Sequence, residues 1–177
     1  MIDLQKKPVK IVGVNPRAEI HGEERKPAYD LTLEFDSSND VLIPFHPELR
    51  HFLFQKPANP DLADQAQPSD IPTERRFPRP VGNIKWDFAA EGYSIRVAYG
   101  IGGPSDIKLS DVKIHKVKFL PKEGGTVTVG LTAIVHPETE DVGRLCEFIQ
   151  QQIEMDITPP APTSVHDLFP GGEKKAA

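Results

Sequence analysis

Tyr29-Asp30-Leu31-Thr32-Leu33-Glu34-Phe35 decides the fold. Tyr29, Leu31, Leu33 and Phe35 fall on one side of an extended chain, and Asp30, Thr32 and Glu34 on the other. Strict period two marks a half-buried antiparallel strand, because successive side chains of a pleated chain point to opposite faces. Toward the N-terminus, Val9 to Val14 is a shorter apolar run that stops at Asn15-Pro16, a turn signal. Toward the C-terminus, Asp36-Ser37-Ser38-Asn39-Asp40 reads as a turn, and Val41 to Phe45 as the next strand.

The second half repeats this style. Ile84, Trp86 and Phe88 alternate with Lys85 and Asp87, Ala89 to Gly92 reads as a turn, and Tyr93, Ile95, Val97 and Tyr99 alternate again, which predicts a hairpin. A second hairpin runs from Val112 to Leu120, turns at Pro121-Lys122-Glu123-Gly124-Gly125, and returns from Thr126 to Val135. Its first strand changes phase between Ile114 and Val117, as a β-bulge requires. Val142, Leu145, Cys146 and Ile149 have the spacing of one helical stripe, so a helix is expected over 138–150, with Pro137 at its start and Cys146 buried. Ile153, Met155 and Ile157 alternate in a final strand. The fold class expected is mainly β: an antiparallel β-sandwich or barrel-like sheets, with one amphipathic helix and a short helical turn.

The chain has 177 residues, a net charge of −5 and 38% apolar residues, enough for one domain with a real core. Its 18 prolines are about twice the number that average usage of roughly 5% would give. Six fall between Gln55 and Pro80 and four in the last nineteen residues, where fixed φ and missing donors exclude central strands and helix interiors. The expected organisation is an N-terminal β unit over 1–54, a proline-rich loop or linker over 55–82, a C-terminal β unit over 83–158 and a flexible tail over 159–177. No apolar run approaches the ~18 residues of a membrane span, and Met1 to Lys7 has no apolar signal core, so a cytoplasmic location is expected.

Two strings recur. Val9-Lys10-Ile11 is matched by Val112-Lys113-Ile114, and His46-Pro47-Glu48 by His136-Pro137-Glu138; an apolar run precedes each His-Pro-Glu and helically spaced residues follow it. Duplication of one β unit would explain this, with chance matching of short strings as its rival.

Chemistry is sparse. The six histidines form no close ligand pair, and a single cysteine rules out an intrachain disulfide and a cysteine-rich zinc site. Gly100-Ile101-Gly102-Gly103-Pro104-Ser105 lacks the Gly-Lys-Ser/Thr ending of a phosphate loop and reads as a connection between strands, and no G-x-S-x-G elbow exists. No catalytic residue, metal site or cofactor is assigned, and the chain reads as a non-enzyme.

Two features point to binding. Arg75, Arg76 and Arg79 around Phe77, with Lys113, Lys116 and Lys118 on one strand, could contact phosphates of single-stranded nucleic acid, although an acidic net charge is unusual for such a protein. In the tail, Asp167-Leu168-Phe169 follows a proline-rich tether and resembles the end of a bacterial sliding-clamp-binding peptide, with Val165 where that motif has glutamine. The three residues are a candidate partner-binding motif; docking of Leu168 and Phe169 on the chain's own sheet is the alternative.

Val9-Lys10-Ile11-Val12-Gly13-Val14-Asn15-Pro16-Arg17-Ala18-Glu19, Ile43 through His46-Pro47-Glu48 to Leu53, and Asp141-Val142-Gly143-Arg144-Leu145-Cys146-Glu147-Phe148-Ile149 resemble an uncharacterised family of cytoplasmic proteins of tailed bacteriophages of proteobacteria. The resemblance covers roughly residues 1–160 and carries no site residues. It implies an accessory protein, working in the host cytoplasm, that binds a host or phage protein such as a defence or DNA-processing factor. A single-strand nucleic-acid-binding accessory and a virion structural protein are the alternatives.

Overall fold

A computed structural model describes residues 1–21, 24–58, 71–77 and 82–161. Strands β1 (Leu4–His21), β2 (Glu24–Ser38), β5 (Ile84–Val97), β6 (Ile107–Pro121), β7 (Thr126–Val135) and β8 (Gln152–Thr158) close an antiparallel barrel in the order β1-β2-β7-β6-β5-β8. The β-rich expectation holds, in its barrel form. The 1–54 and 83–158 stretches share one core, because β2 pairs with β7 from Tyr29 opposite Val135 to Ser38 opposite Thr126, and β1 pairs with β8.

The alternation in β2 sets the barrel interior. Leu31, Leu33 and Phe35 are buried and meet Val127, Val129, Leu131 and Ala133 of β7, Ile114, Val117 and Phe119 of β6, and Tyr93, Ile95 and Met155. The outer face of β7 is also covered. Gly130 carries no side chain, and the stem of Lys118 lies where a Cβ would stand, reaching toward Glu34 on β2 with Nζ 3.9 Å from Oε1. Thr128 donates to Asp36 over 2.5 Å, and Lys122 donates to the same carboxylate over 3.0 Å. Burial pushes the Asp36 carboxyl up, but those hydrogen bonds and the Lys122 charge outweigh it and hold it below the usual range.

Each end of the barrel has a lid. At one end, a 3-10 turn over Asn39–Leu42, helix α1 (Leu49–Leu53) and the two-residue ladder of β3 (Phe54–Gln55) with β4 (Glu74–Arg75) bury Leu42, Leu49, Leu53 and Phe54. Phe45 packs on Phe119, Phe88 and Trp86 at 4.8, 5.4 and 6.5 Å between ring centroids. Asn39, buried, donates to the Pro72 carbonyl over 2.6 Å, so part of the proline-rich stretch is itself seated on the barrel. At the other end sit α2 (Thr139–Glu147) and the connection between β5 and β6. Tyr99 there packs edge-on against Phe148, and Arg144 lies 5.3 Å above the Tyr99 ring centroid. Arg96 binds Asp106, Glu154 and Asp156 and fixes that connection against β8; these bonds hold the guanidinium firmly protonated.

Several local expectations are corrected. Asn15-Pro16 does not turn the chain: β1 continues to His21, because beyond Gln150 and Gln151 its outer edge has no partner among the described residues and an unpaired edge tolerates proline. Val41 to Phe45 is a 3-10 turn and bend in the lid, not a strand. Residues 84–97 form one strand, and Gly92, at φ +80°, is a bulge rather than a hairpin turn. The hairpin partner of β5 is β6, joined through the Gly100–Ser105 segment read as a connection. The expected bulge in β6 lies between His115 and Lys118, with Lys116 at φ +53°. Helix α2 ends at Glu147, not 150, and Pro137 stands two residues before its start. Only Leu145 of its stripe is fully buried; Val142 is half-buried, and Cys146 and Ile149 are exposed. A helix does follow each His-Pro-Glu, α1 after Glu48 and α2 after Glu138. The runs preceding them differ, a 3-10 turn in one and β7 in the other. Among the described residues, no helix is long and apolar enough to cross a membrane.

Candidate functional site

Strand β7 stops at Val135 because Pro137 cannot extend a ladder, yet both of its neighbours run on. β2 continues from Tyr29 back to Glu24 and β6 from Lys113 back to Ile107; among the described residues these extensions are paired only with β1 and with β5, respectively. Beyond Val135 the barrel wall is therefore split, and two strand edges flank the place where β7 would have continued. A cleft of about 1060 Å³ occupies the split.

Its walls carry matched charge. Arg17, Glu19, Lys26 and Pro27 line one side, Glu91, Ser110, Asp111 and Lys113 the other, and Ile134, His136 and Pro137 line it where β7 ends. Arg17 donates to Asp30 over 3.0 Å, Lys113 donates to Glu91 over 2.7 Å, and Nε2 of His136 lies 3.1 Å from a Glu19 oxygen. The His136 contact ties the β1–β2 arm to the exit of β7. Lys26 and Asp111 have no ion-pair partner among the described residues, and they stand on opposite walls. Asp111 sits at φ +52° in a bulge that breaks the β5–β6 register between Tyr93 and Ile95. Ile134, 6% exposed, is an apolar contact in the cleft, beside Ala18, Pro27 and Pro137.

Next to the cleft, His115 lies on β6 opposite Thr132 of β7. Its Nε2 is buried without a hydrogen-bond partner. Burial pushes its pKa down and the charge of Lys116 adds to this, against the opposing pull of Asp30.

The predicted site residues are scattered. Arg75 is held by Glu123, and Arg76 donates to the His51 carbonyl over 3.1 Å, so both guanidinium groups brace the lid. Lys113 is paired in the cleft wall and Lys118 lies over Gly130, while Lys116 is exposed at the bulge without a partner among the described residues. Arg79, Asp167, Leu168 and Phe169 lie outside the described residues. Among the described residues no group of three or more histidine, cysteine, aspartate or glutamate side chains is gathered to hold a metal ion. The sequence reading missed the cleft. Its visible signal was His136-Pro137, which ends β7, while β2 runs on through Pro27. Comparison with protein-family models, curated proteins and solved structures returns no match.

Proposed function

We propose that this chain is a non-enzymatic accessory protein of a tailed bacteriophage that binds a host or phage protein, a defence or DNA-processing factor, in the host cytoplasm. The observation that carries binding is the split beyond Val135, where two strand edges, unpaired among the described residues, flank a cleft. An extended partner segment entering there pairs its backbone with either edge, the strand-addition mode of peptide recognition. At about 1060 Å³ and open to solvent, the cleft suits such a segment better than an enclosed small molecule. Lys26 and Asp111 favour a segment with an acidic and a basic residue on its two sides. The phage assignment is supported by the resemblance in the Val9–Glu19, Ile43–Leu53 and Asp141–Ile149 strings. The pairing of Arg75, Lys113 and Lys118 with carboxylates weighs against a phosphate-binding track.

Affinity capture from host lysate with the full chain, beside the double variant Lys26→Glu/Asp111→Lys, tests the reading. The expected result is a stoichiometric partner held by the parent chain and lost by the variant. Equal recovery by both, or recovery of none, refutes it. Salt-sensitive binding of single-stranded DNA would favour the nucleic-acid alternative instead.

A further inference from the structure

We infer that two copies of the chain join edge to edge through residues 84–88 of β5, about a twofold axis at Trp86. This does not depend on the cleft. β8 pairs with β5 only from Val97 opposite Met155 to Ser94 opposite Thr158. The Ala98 N–H bonds the Glu154 carbonyl over 3.0 Å, so even-numbered residues of β8 face β5, and the next after Thr158 is Pro160. With no N–H to give, Pro160 ends the ladder. Its ring lies 3.3 Å from where a Gly92 Cβ would stand. From Gly92 back to Ile84, no strand among the described residues pairs with β5 on the side away from β6.

The phase of the neighbouring ladders shows what this edge offers. Lys122 donates to the Thr126 carbonyl over 2.8 Å, so Leu120 and Lys118 also bond β7, and Val117 and Phe119 turn their backbone groups to β5. Val117 lies opposite Trp86 and Phe119 opposite Ile84. The N–H and C=O groups of Lys85 and Asp87 therefore point the other way, out of the open edge. From 84 to 91 no residue is a proline or has a positive φ, so the edge lacks the devices that usually block pairing between copies.

Its charges are self-complementary. Antiparallel pairing about Trp86 sets Lys85 opposite the partner's Asp87, and Asp87 opposite the partner's Lys85, as hydrogen-bonded pairs with Cα atoms about 5.5 Å apart. Both side chains are exposed, and neither has a partner among the described residues. Within its own barrel Lys85 stands opposite Lys118, a like-charge pair that an aspartate on the other side relieves. On the inner face the same register puts Trp86 beside the partner's Trp86 and Ile84 beside the partner's Phe88. Ile84, Trp86 and Phe88 are only half-buried, whereas Val117 and Phe119 opposite them on β6 are at most 1% exposed. A strand added at the edge covers what is left. An axis at Phe88 would instead set Lys85 against Glu91, which Lys113 already holds over 2.7 Å.

Sedimentation equilibrium of the full chain across a dilution series tests this, with amide exchange in β5 as the local readout. The parent is expected to show the mass of two chains, falling to that of one on dilution, with the Lys85 and Asp87 amides losing protection in step. Lys85→Glu and Asp87→Lys each bring like charges together twice, and both are expected to be single chains with the parent's circular dichroism. Mixed in equal amounts, the two variants join an acid to a lysine at each contact, and the two-chain mass is expected to return, which misfolded variants would not produce. A parent that stays a single chain at every concentration overturns the inference; protected Lys85 and Asp87 amides in that case assign the edge to a segment of the same molecule. A two-chain mass that survives both single variants, or that does not return in the mixture, overturns it as well.

Discussion

Cutting the chain between Ala58 and Ile71 tests whether the molecule has one core. A protease site inserted there yields an N-terminal fragment with β1, β2 and α1 and a C-terminal fragment with β5 to β8. In the intact barrel Val9, Ile11, Leu31, Leu33 and Phe35 are at most 2% exposed, and the last three pack on strands of the other fragment. Burying one such side chain is worth ~1.5–3 kcal/mol, so leaving all five uncovered forfeits about 7–15 kcal/mol. That figure is an upper bound, because unfolded chains already hide part of this surface. It is as large as the ~5–15 kcal/mol that holds a whole domain together. The N-terminal fragment, separated in denaturant and returned to buffer, should therefore show neither amide proton dispersion nor a cooperative melt. Mixed with its complement, it should regain both. A fragment that folds alone would refute the single-core argument and restore two units joined by a linker.

Phe119→Ala should cost about 3–5 kcal/mol in urea unfolding followed by circular dichroism, because the ring is fully buried and anchors Phe45 of the lid; a loss under ~1 kcal/mol would mean that the lid does not seal the barrel. His115 favours its neutral form in the folded chain, so stability should fall as pH drops from the unfolded value of 6.5 toward the depressed folded one, and His115→Gln should flatten that slope in melts across the range. A hydrogen bond from Arg96 holds Asp156 below 3.8, and the backbone N–H of Tyr99 does the same for Asp106; their stabilisation is present above 3.8 and lost as pH falls through the folded values, and Asp156→Asn should remove its share of that acid sensitivity in acid titrations. Gly130→Ala should displace the Lys118 stem, and adding Lys118→Ala should recover stability, with a coupling of ~0.5–3 kcal/mol in a double-mutant cycle; additive effects would show that the stem does not lie on Gly130.

What was legible in the sequence was local. β2, β6 and β8 were readable because alternation over five to seven residues reports one buried face, whatever lies opposite, and β7 because the Pro121–Gly125 turn sets it off from β6. The bulge at Lys116 was readable for the same reason, as a change of phase. Where a signal had two physical causes, the reading took the wrong one. A glycine at positive φ serves a turn or a bulge, and Gly92 is a bulge. Val41 to Phe45 is apolar but does not alternate, and such a run suits a lid as well as a strand. The stripe through Cys146 promised burial, but α2 meets the barrel through Leu145 and leaves the cysteine in solvent.

The candidate site was illegible for a different reason. The cleft is made by a difference in length between strands that are distant in sequence, and no window along the chain contains that difference. Its charged residues also read as solvated strand faces, which several of them are. Unpaired strand edges are a hazard, since copies of a chain can join along them, and this chain guards both. Pro27 breaks one edge, and the bulge at Asp111 kinks the other. These devices oppose flat pairing of one molecule with another, but they leave room between the walls for a single strand entering along the line of β7. The geometry thus favours an inserted segment over a second barrel at this place, as the proposed binding mode requires.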